Sequence, residues 1–175
     1  MKQSLRLLNF KNTDPKYIDV FIEKKFLSET EQKTLFSYVF FSEENNSPLF
    51  LPKKINPLVK GTHLWKNTCF ECFFFDENSD EYFELNVSPK GEYDLLSFEK
   101  YRLKSSKAAP IHVSNFQVER VQNLVTLSFE LKTHFKSSYF ISPTVILDTP
   151  REQSFFALSH ELLKPDFHKK IMKFK

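Results

Sequence analysis

A chain of 175 residues that is 41% hydrophobic and 27% charged is long enough to bury a core without disulfide or metal staples, and nothing in it demands a disordered linker. Its only two glycines, Gly61 and Gly91, cannot spell a dinucleotide-binding turn or a phosphate-binding loop. The net charge of +3, partly carried by Lys169, Lys170, Lys173 and Lys175, is too dilute for a nucleic-acid face, which needs a dense basic surface interleaved with aromatics.

The start of the chain, Leu5 to Phe10, alternates too much to form a secretory core. No later stretch approaches the roughly 20 apolar residues of a membrane helix. The sequence therefore predicts a cytoplasmic chain with no membrane or nucleic-acid partner, folded as a single domain over residues 1–175. It implies no cofactor and no metal, and it leaves the oligomeric state open.

The predicted elements are almost all strands. Phe is abundant, at 21 residues, and flat rings pack well on a pleated surface. Strand-like runs fall at residues 5–10, 17–23, 34–41, 49–51, 69–75, 82–87, 93–98, 116–121, 124–131, 144–147 and 155–158. Helical signals are few. Ser28, Thr30 and Glu31 have the form of a capping box but lead into a β-rich run, so one helical turn at most is expected there. Residues 166–175 read as a short terminal helix. Polar residues 76–80 form a hairpin loop, and Ser88-Pro89-Lys90-Gly91 has a type I turn pattern. These turns make residues 69–98 a three-stranded antiparallel meander. The fold class is all-β, an antiparallel β-sandwich of jelly-roll or immunoglobulin-like type with about ten strands.

Cys69 and Cys72 mimic a redox pair. In a strand, however, positions three apart point to opposite faces, so the sulfurs cannot meet. No second cysteine pair exists to complete a zinc site. Both read as structural thiols.

Polar residues within the meander carry the chemical interest. Phe83, Leu85 and Val87 share one face of their strand and are plainly core; Tyr82, Glu84, Asn86 and Ser88 share the other. That second face is expected to look onto solvent or a cavity. Whether Glu71 joins it depends on register. Opposite Glu84 it makes a carboxylate pair; a slip of one residue puts Cys72 there and turns Glu71 away. Two close carboxylates suit acid–base work on a glycosidic bond or a hard cation, or they pair with Arg102. Trp65 is the only tryptophan and a candidate platform. Tyr101 and Arg102 follow a strand end, where loops gather function. His160, Asp166 and His168 flank a Pro-stiffened segment that reads as a ligand rim or a set of metal ligands.

The run Leu64-Trp65-Lys66-Asn67-Thr68-Cys69-Phe70-Glu71 is followed by Tyr82-Phe83-Glu84-Leu85-Asn86-Val87-Ser88-Pro89-Lys90-Gly91, then by Phe98-Glu99-Lys100-Tyr101-Arg102. Phe155 to His160 and Lys164 to His168 complete the pattern. Together they resemble a bacterial family of DOMON-like proteins related to family 9 carbohydrate-binding modules. The resemblance is dense over residues 64–102 and 155–168. It implies a β-sandwich, and its relatives bind sugars or, more distantly, haem. Phe83 and Phe156 stand where the family often has Trp. The expected function is non-catalytic binding of a carbohydrate-like small molecule by Trp65, Glu71, Glu84, Asn86, Tyr101, Arg102, His160, Asp166 and His168. The alternatives are a hydrolase using Glu71 and Glu84, or using His160, Asp166 and His168 with a metal, and a structural or interaction module.

Overall fold

A computed structural model describes residues 2–11, 17–27, 32–41, 58–133, 139–148, 152–160 and 164–174. Among them are thirteen strands and one turn of 3-10 helix, Leu64–Lys66. The strands are β1 (Lys2–Asn9), β2 (Tyr17–Phe26), β3 (Gln32–Phe41), β4 (Val59–Lys60), β5 (Cys69–Asp76), β6 (Tyr82–Val87) and β7 (Glu92–Lys100). The remainder are β8 (Leu103–Ser105), β9 (Ile111–Val121), β10 (Leu124–Thr133), β11 (Tyr139–Asp148), β12 (Gln153–Ala157) and β13 (Met172–Phe174).

Alternation decides which residues point inward. In β3, Phe36, Tyr38 and Phe40 are buried; in β10, Val125, Leu127, Phe129 and Leu131; in β2, Ile18, Val20 and Ile22. These meet Phe70, Phe74, Phe83 and Leu85 of β5 and β6 in one large core. Phe36 stacks on Phe129 with centroids 5.6 Å apart, and Tyr38 meets the edge of Phe70 at 5.4 Å.

Strand pairing follows one path, β4-β7-β6-β5-β11-β12-β1-β2-β3-β10-β9, with β8 attached to β7 and β13 to β11. The path is antiparallel except for the β4–β7 contact. Five strand steps separate β5 from β3 along it, which in a flat sheet is about 24 Å at roughly 4.8 Å per step. Yet the rings of Phe36 and Phe74 lie 6.1 Å apart, and the Tyr38 hydroxyl donates to the Glu71 carbonyl at 2.7 Å. The sheet therefore curls until its halves face each other across the core. The all-β expectation holds, but two separate sheets are not what forms. A seam between β1 and β12, pairing Leu8 with Ala157 and Asn9 with Phe156, keeps the halves in one hydrogen-bonded sheet.

The expected terminal helix at 166–175 is replaced by β13. The reason is unfinished pairing. β12 covers β11 only over Val145 to Asp148. The free edge at Tyr139 to Ile141 takes Met172 to Phe174 instead, and satisfying those backbone groups outweighs a weak helical preference. β9 begins five residues earlier than its apolar run suggests, at Ile111. The expected strand at 49–51 and the capping box at 28–31 lie outside the described residues. The Ser88 turn forms as read: the Gly91 amide donates to the Ser88 carbonyl at 3.1 Å, and Gly91 has a φ of 81°, a region glycine enters without steric cost.

Phe74 packs against Phe36 and Tyr139 at the centre of the curl. Phe74→Ala is expected to lower unfolding stability by about 3–5 kcal/mol through lost burial and a residual cavity. A urea titration checks this; an unchanged midpoint would show that β5 does not pack on β3 as described.

Candidate functional site

β5 and β6 are buried along both faces. Phe70, Cys72, Phe74, Phe83, Leu85 and Val87 belong to the central core. The opposite face carries Cys69, Glu71, Phe73 and Phe75 on β5 and Tyr82, Glu84 and Asn86 on β6. There Cys69, Phe73, Phe75 and Tyr82 join Leu64, Phe98 and Phe167 in a second, smaller cluster. The polar face is thus roofed by the Leu64 turn and the segment around Phe167 rather than left open to water.

Register places Glu71 opposite Asn86, Phe73 opposite Glu84 and Phe75 opposite Tyr82. Neither register foreseen from the sequence forms. Glu71 and Glu84 share a face as diagonal neighbours, with Cβ atoms on the order of 7 Å apart. Both are buried, at 2% and 6% exposure. Together with Phe73 they floor a pocket of about 450 Å³, walled by Trp65, Phe98, Phe155 and Phe167 and edged by Arg102, Lys104 and His168.

Each polar group at the floor has a neutral partner. The Asn86 side-chain amide donates to Glu84 Oε1 at 2.7 Å, and the Cys69 thiol reaches Asn86 Oδ1 at 3.6 Å. Thr144 Oγ1 lies 3.1 Å from Glu71 Oε2. Burial, reinforced by the charge of Glu84, pushes the Glu71 carboxyl up to about 8, against the pull of Thr144 and Cys69. Burial also raises Glu84, opposed by the Asn86 hydrogen bond and by the charges of Lys104 and Arg102.

The edge is a closed hydrogen-bond circuit. Arg102 does not reach the buried carboxylates as the sequence suggested. Tyr101 and Arg102 form the turn between β7 and β8, with Arg102 at φ 56°, and this turns the guanidinium toward Asp166 at 3.2 Å. Arg102 Nε also donates to the Tyr101 hydroxyl, which donates to Asp166 Oδ2 at 2.9 Å. Burial would raise the Asp166 carboxyl, but hydrogen bonds from Tyr101, the His168 amide and Arg102 hold it below its ordinary value. The Arg102 amide donates to the Tyr82 oxygen at 2.9 Å. The Tyr82 hydroxyl also shares a hydrogen bond with His168 Nδ1 at 2.7 Å. Burial and the nearby Arg102 charge lower His168 to about 4, so its ring, edge-on to Phe73 and Phe98, is neutral near pH 7.

Of the nine residues singled out from the sequence, Trp65, Glu71, Glu84, Arg102 and His168 line the pocket. Asn86 supports its floor, and Tyr101 and Asp166 fix its edge. His160 goes elsewhere. It follows β12 on the side that meets β1, and its Nε2 bonds the Leu8 carbonyl at 2.8 Å. The expected grouping of His160, Asp166 and His168 around a metal does not assemble, and no cluster of three metal-ligating side chains occurs among the described residues. Sequence reasoning missed Lys104, Phe98, Phe155 and Phe167. Phe98 was legible from strand pairing, because it sits opposite Tyr82. Lys104 gave no signal; it reaches the pocket only because the tight Tyr101-Arg102 turn folds β8 back on β7.

Fold and site together define an all-β chain with an open pocket, floored by carboxyl groups and walled by aromatic rings. The fold is similar to the crystal structure of a protein from Bacteroides uniformis that is provisionally described as carbohydrate-binding. The TM-score is 0.64 and the identity 12%, over 99% of this chain and 84% of that one. No family model matches the chain, and no curated protein matches it.

Glu71 generates a pH prediction. Its folded value, about 8, lies above the roughly 4.3 of an unfolded glutamate. Its contribution to stability is therefore full below the unfolded value and is lost as the pH rises toward 8. Glu71→Gln, which cannot ionise, is expected to gain on the wild type by up to about 1.4 kcal/mol per pH unit across that window. Urea titrations near pH 5 and near pH 8 measure it; a constant difference between the two proteins would contradict the raised value.

Proposed function

We propose that the chain is a non-catalytic binding protein for a carbohydrate-like ligand, with the β5–β7 pocket as its site. The observation that carries this reading is the composition of the pocket: aromatic walls around buried acceptor groups, open at one side. Sugar rings present apolar C–H faces to aromatic rings and hydroxyl groups to fixed polar atoms. Trp65 supplies the largest aromatic face. Glu84 accepts hydroxyl protons, and Gln153 and Lys104 supply donors around the edge, with the His168 ring beside them. Asn86, Tyr101 and Asp166 act by positioning Glu84, Arg102 and His168; His160 has no part. The carbohydrate description given to the structural neighbour supports the same ligand class, as does the resemblance to DOMON-like proteins and family 9 modules. On this reading the curled sheet is a sandwich closed at one corner, the chain is one domain, and its location is cytoplasmic, which fractionation of the native host tests.

Calorimetry against a panel of oligosaccharides tests the proposal. A binding saccharide is expected to raise the melting temperature. Trp65→Ala is expected to weaken it by about tenfold, or about 1.4 kcal/mol. A broad panel without a single binder would remove the proposal.

One observation favours a second reading. Glu71 and Glu84 occupy one face in unequal surroundings, Glu71 sealed beside Thr144 and Glu84 near two cations. Two carboxyl groups in unlike surroundings can divide the acid and base roles of glycoside hydrolysis. Release of reducing ends, abolished by either Glu71→Gln or Glu84→Gln, would establish it. Binding without turnover would leave the non-catalytic reading standing.

A further inference from the structure

We infer that the pocket takes a saccharide bearing a free, positively charged amino group, seated against Glu71 and Glu84; this rests on the carbohydrate reading above and narrows it. Three observations carry it. The two carboxyl groups are almost wholly buried, at 2% and 6% exposure, and both line the pocket. Among the described residues, neither has a cation within ion-pair distance. Arg102 is committed to Asp166 and Tyr101, and Lys104 sits with its ammonium 5.7 Å from the centre of the Trp65 ring. Glu84 accepts a single hydrogen bond, from Asn86 to Oε1, so its second oxygen meets no donor among the described residues.

A buried carboxylate without a counter-ion is expensive. Two on one face repel each other as well. A proton relieves one of them, and a ligand cation relieves both. The walls favour the same occupant. Trp65, Phe73, Phe98 and Phe155 line the space around the carboxyls, and aromatic rings attract an ammonium group placed over their faces. A neutral sugar gains hydrogen bonds here but leaves Glu84 without a counter-charge. Lys104 and Arg102 do not cancel the attraction. They lie at the exposed edge, where water and salt screen them, whereas the carboxyl groups act at depth. The amino group is therefore placed at the floor and the ring against Trp65.

The experiment is isothermal titration of the full chain with a glucosamine oligomer, its N-acetylated counterpart, a glucan and a sulfated glucan of equal length. The glucosamine oligomer is expected to bind at least about tenfold more tightly than the other three, and Glu84→Gln is expected to erase that preference. Should the variant fail to fold by circular dichroism, the wild-type ranking decides alone. Equal or tighter binding of the acetylated, neutral or sulfated oligomer overturns the inference and leaves the carbohydrate reading intact. If no saccharide binds, the carbohydrate reading falls and the inference falls with it.

Discussion

The site depends on strands β5 and β6 being covered on both faces. A strand pair in a curled antiparallel sheet ordinarily has one wet face, and polar residues there cost nothing. Here the wet face is roofed by the Leu64 turn and by Phe167, so Glu71, Glu84 and Asn86 are desolvated where they stand. Their hydrogen bonds, the raised titration of the two glutamates and the shape of the pocket all follow from that second layer. The roof is also incomplete, and the pocket it leaves is partly open.

The curl supplies the other half of the constraint. Facing β3 and β10 across the core, β5 must present Phe70, Cys72 and Phe74 inward without exception. That fixes the parity of the strand, and with it the outward direction of Glu71. The Tyr38 hydroxyl on the Glu71 carbonyl fastens the backbone from the core side. The large core thus holds a carboxyl group that belongs to the opposite face.

Much of this was legible in the residues. The alternation of Phe83, Leu85 and Val87 against Tyr82, Glu84 and Asn86 gave the two faces correctly, and the turns at 76–80 and 88–91 gave the meander. The partnership of Glu71 was not legible, because hairpin register depends on how many loop residues join the ladder. Nor was the single curled sheet: the seam from Leu8 and Asn9 to Phe156 and Ala157 joins residues about 150 apart in sequence, beyond any local signal. Arg102 was assigned the wrong acid because its direction is set by a positive φ in a two-residue turn. β13 defeated a helical reading because its partner edge on β11 exists only in the assembled fold.

The far end of the sheet raises a separate matter. Among the described residues β9, eleven residues long, is an outer strand, with one side of its backbone turned away from β10. A long, flat border of that kind recruits further chains and seeds aggregates. This one is not flat. Between Ser128 and Glu130 of β10 the pairing slips to take an extra β9 residue, beside Asn115 at φ 51°. The bulge bends and twists the border midway, and Glu119 with Arg120 puts charge on the stretch beyond it. A bulge of this kind is one of the devices by which an edge strand is kept from pairing with a further chain.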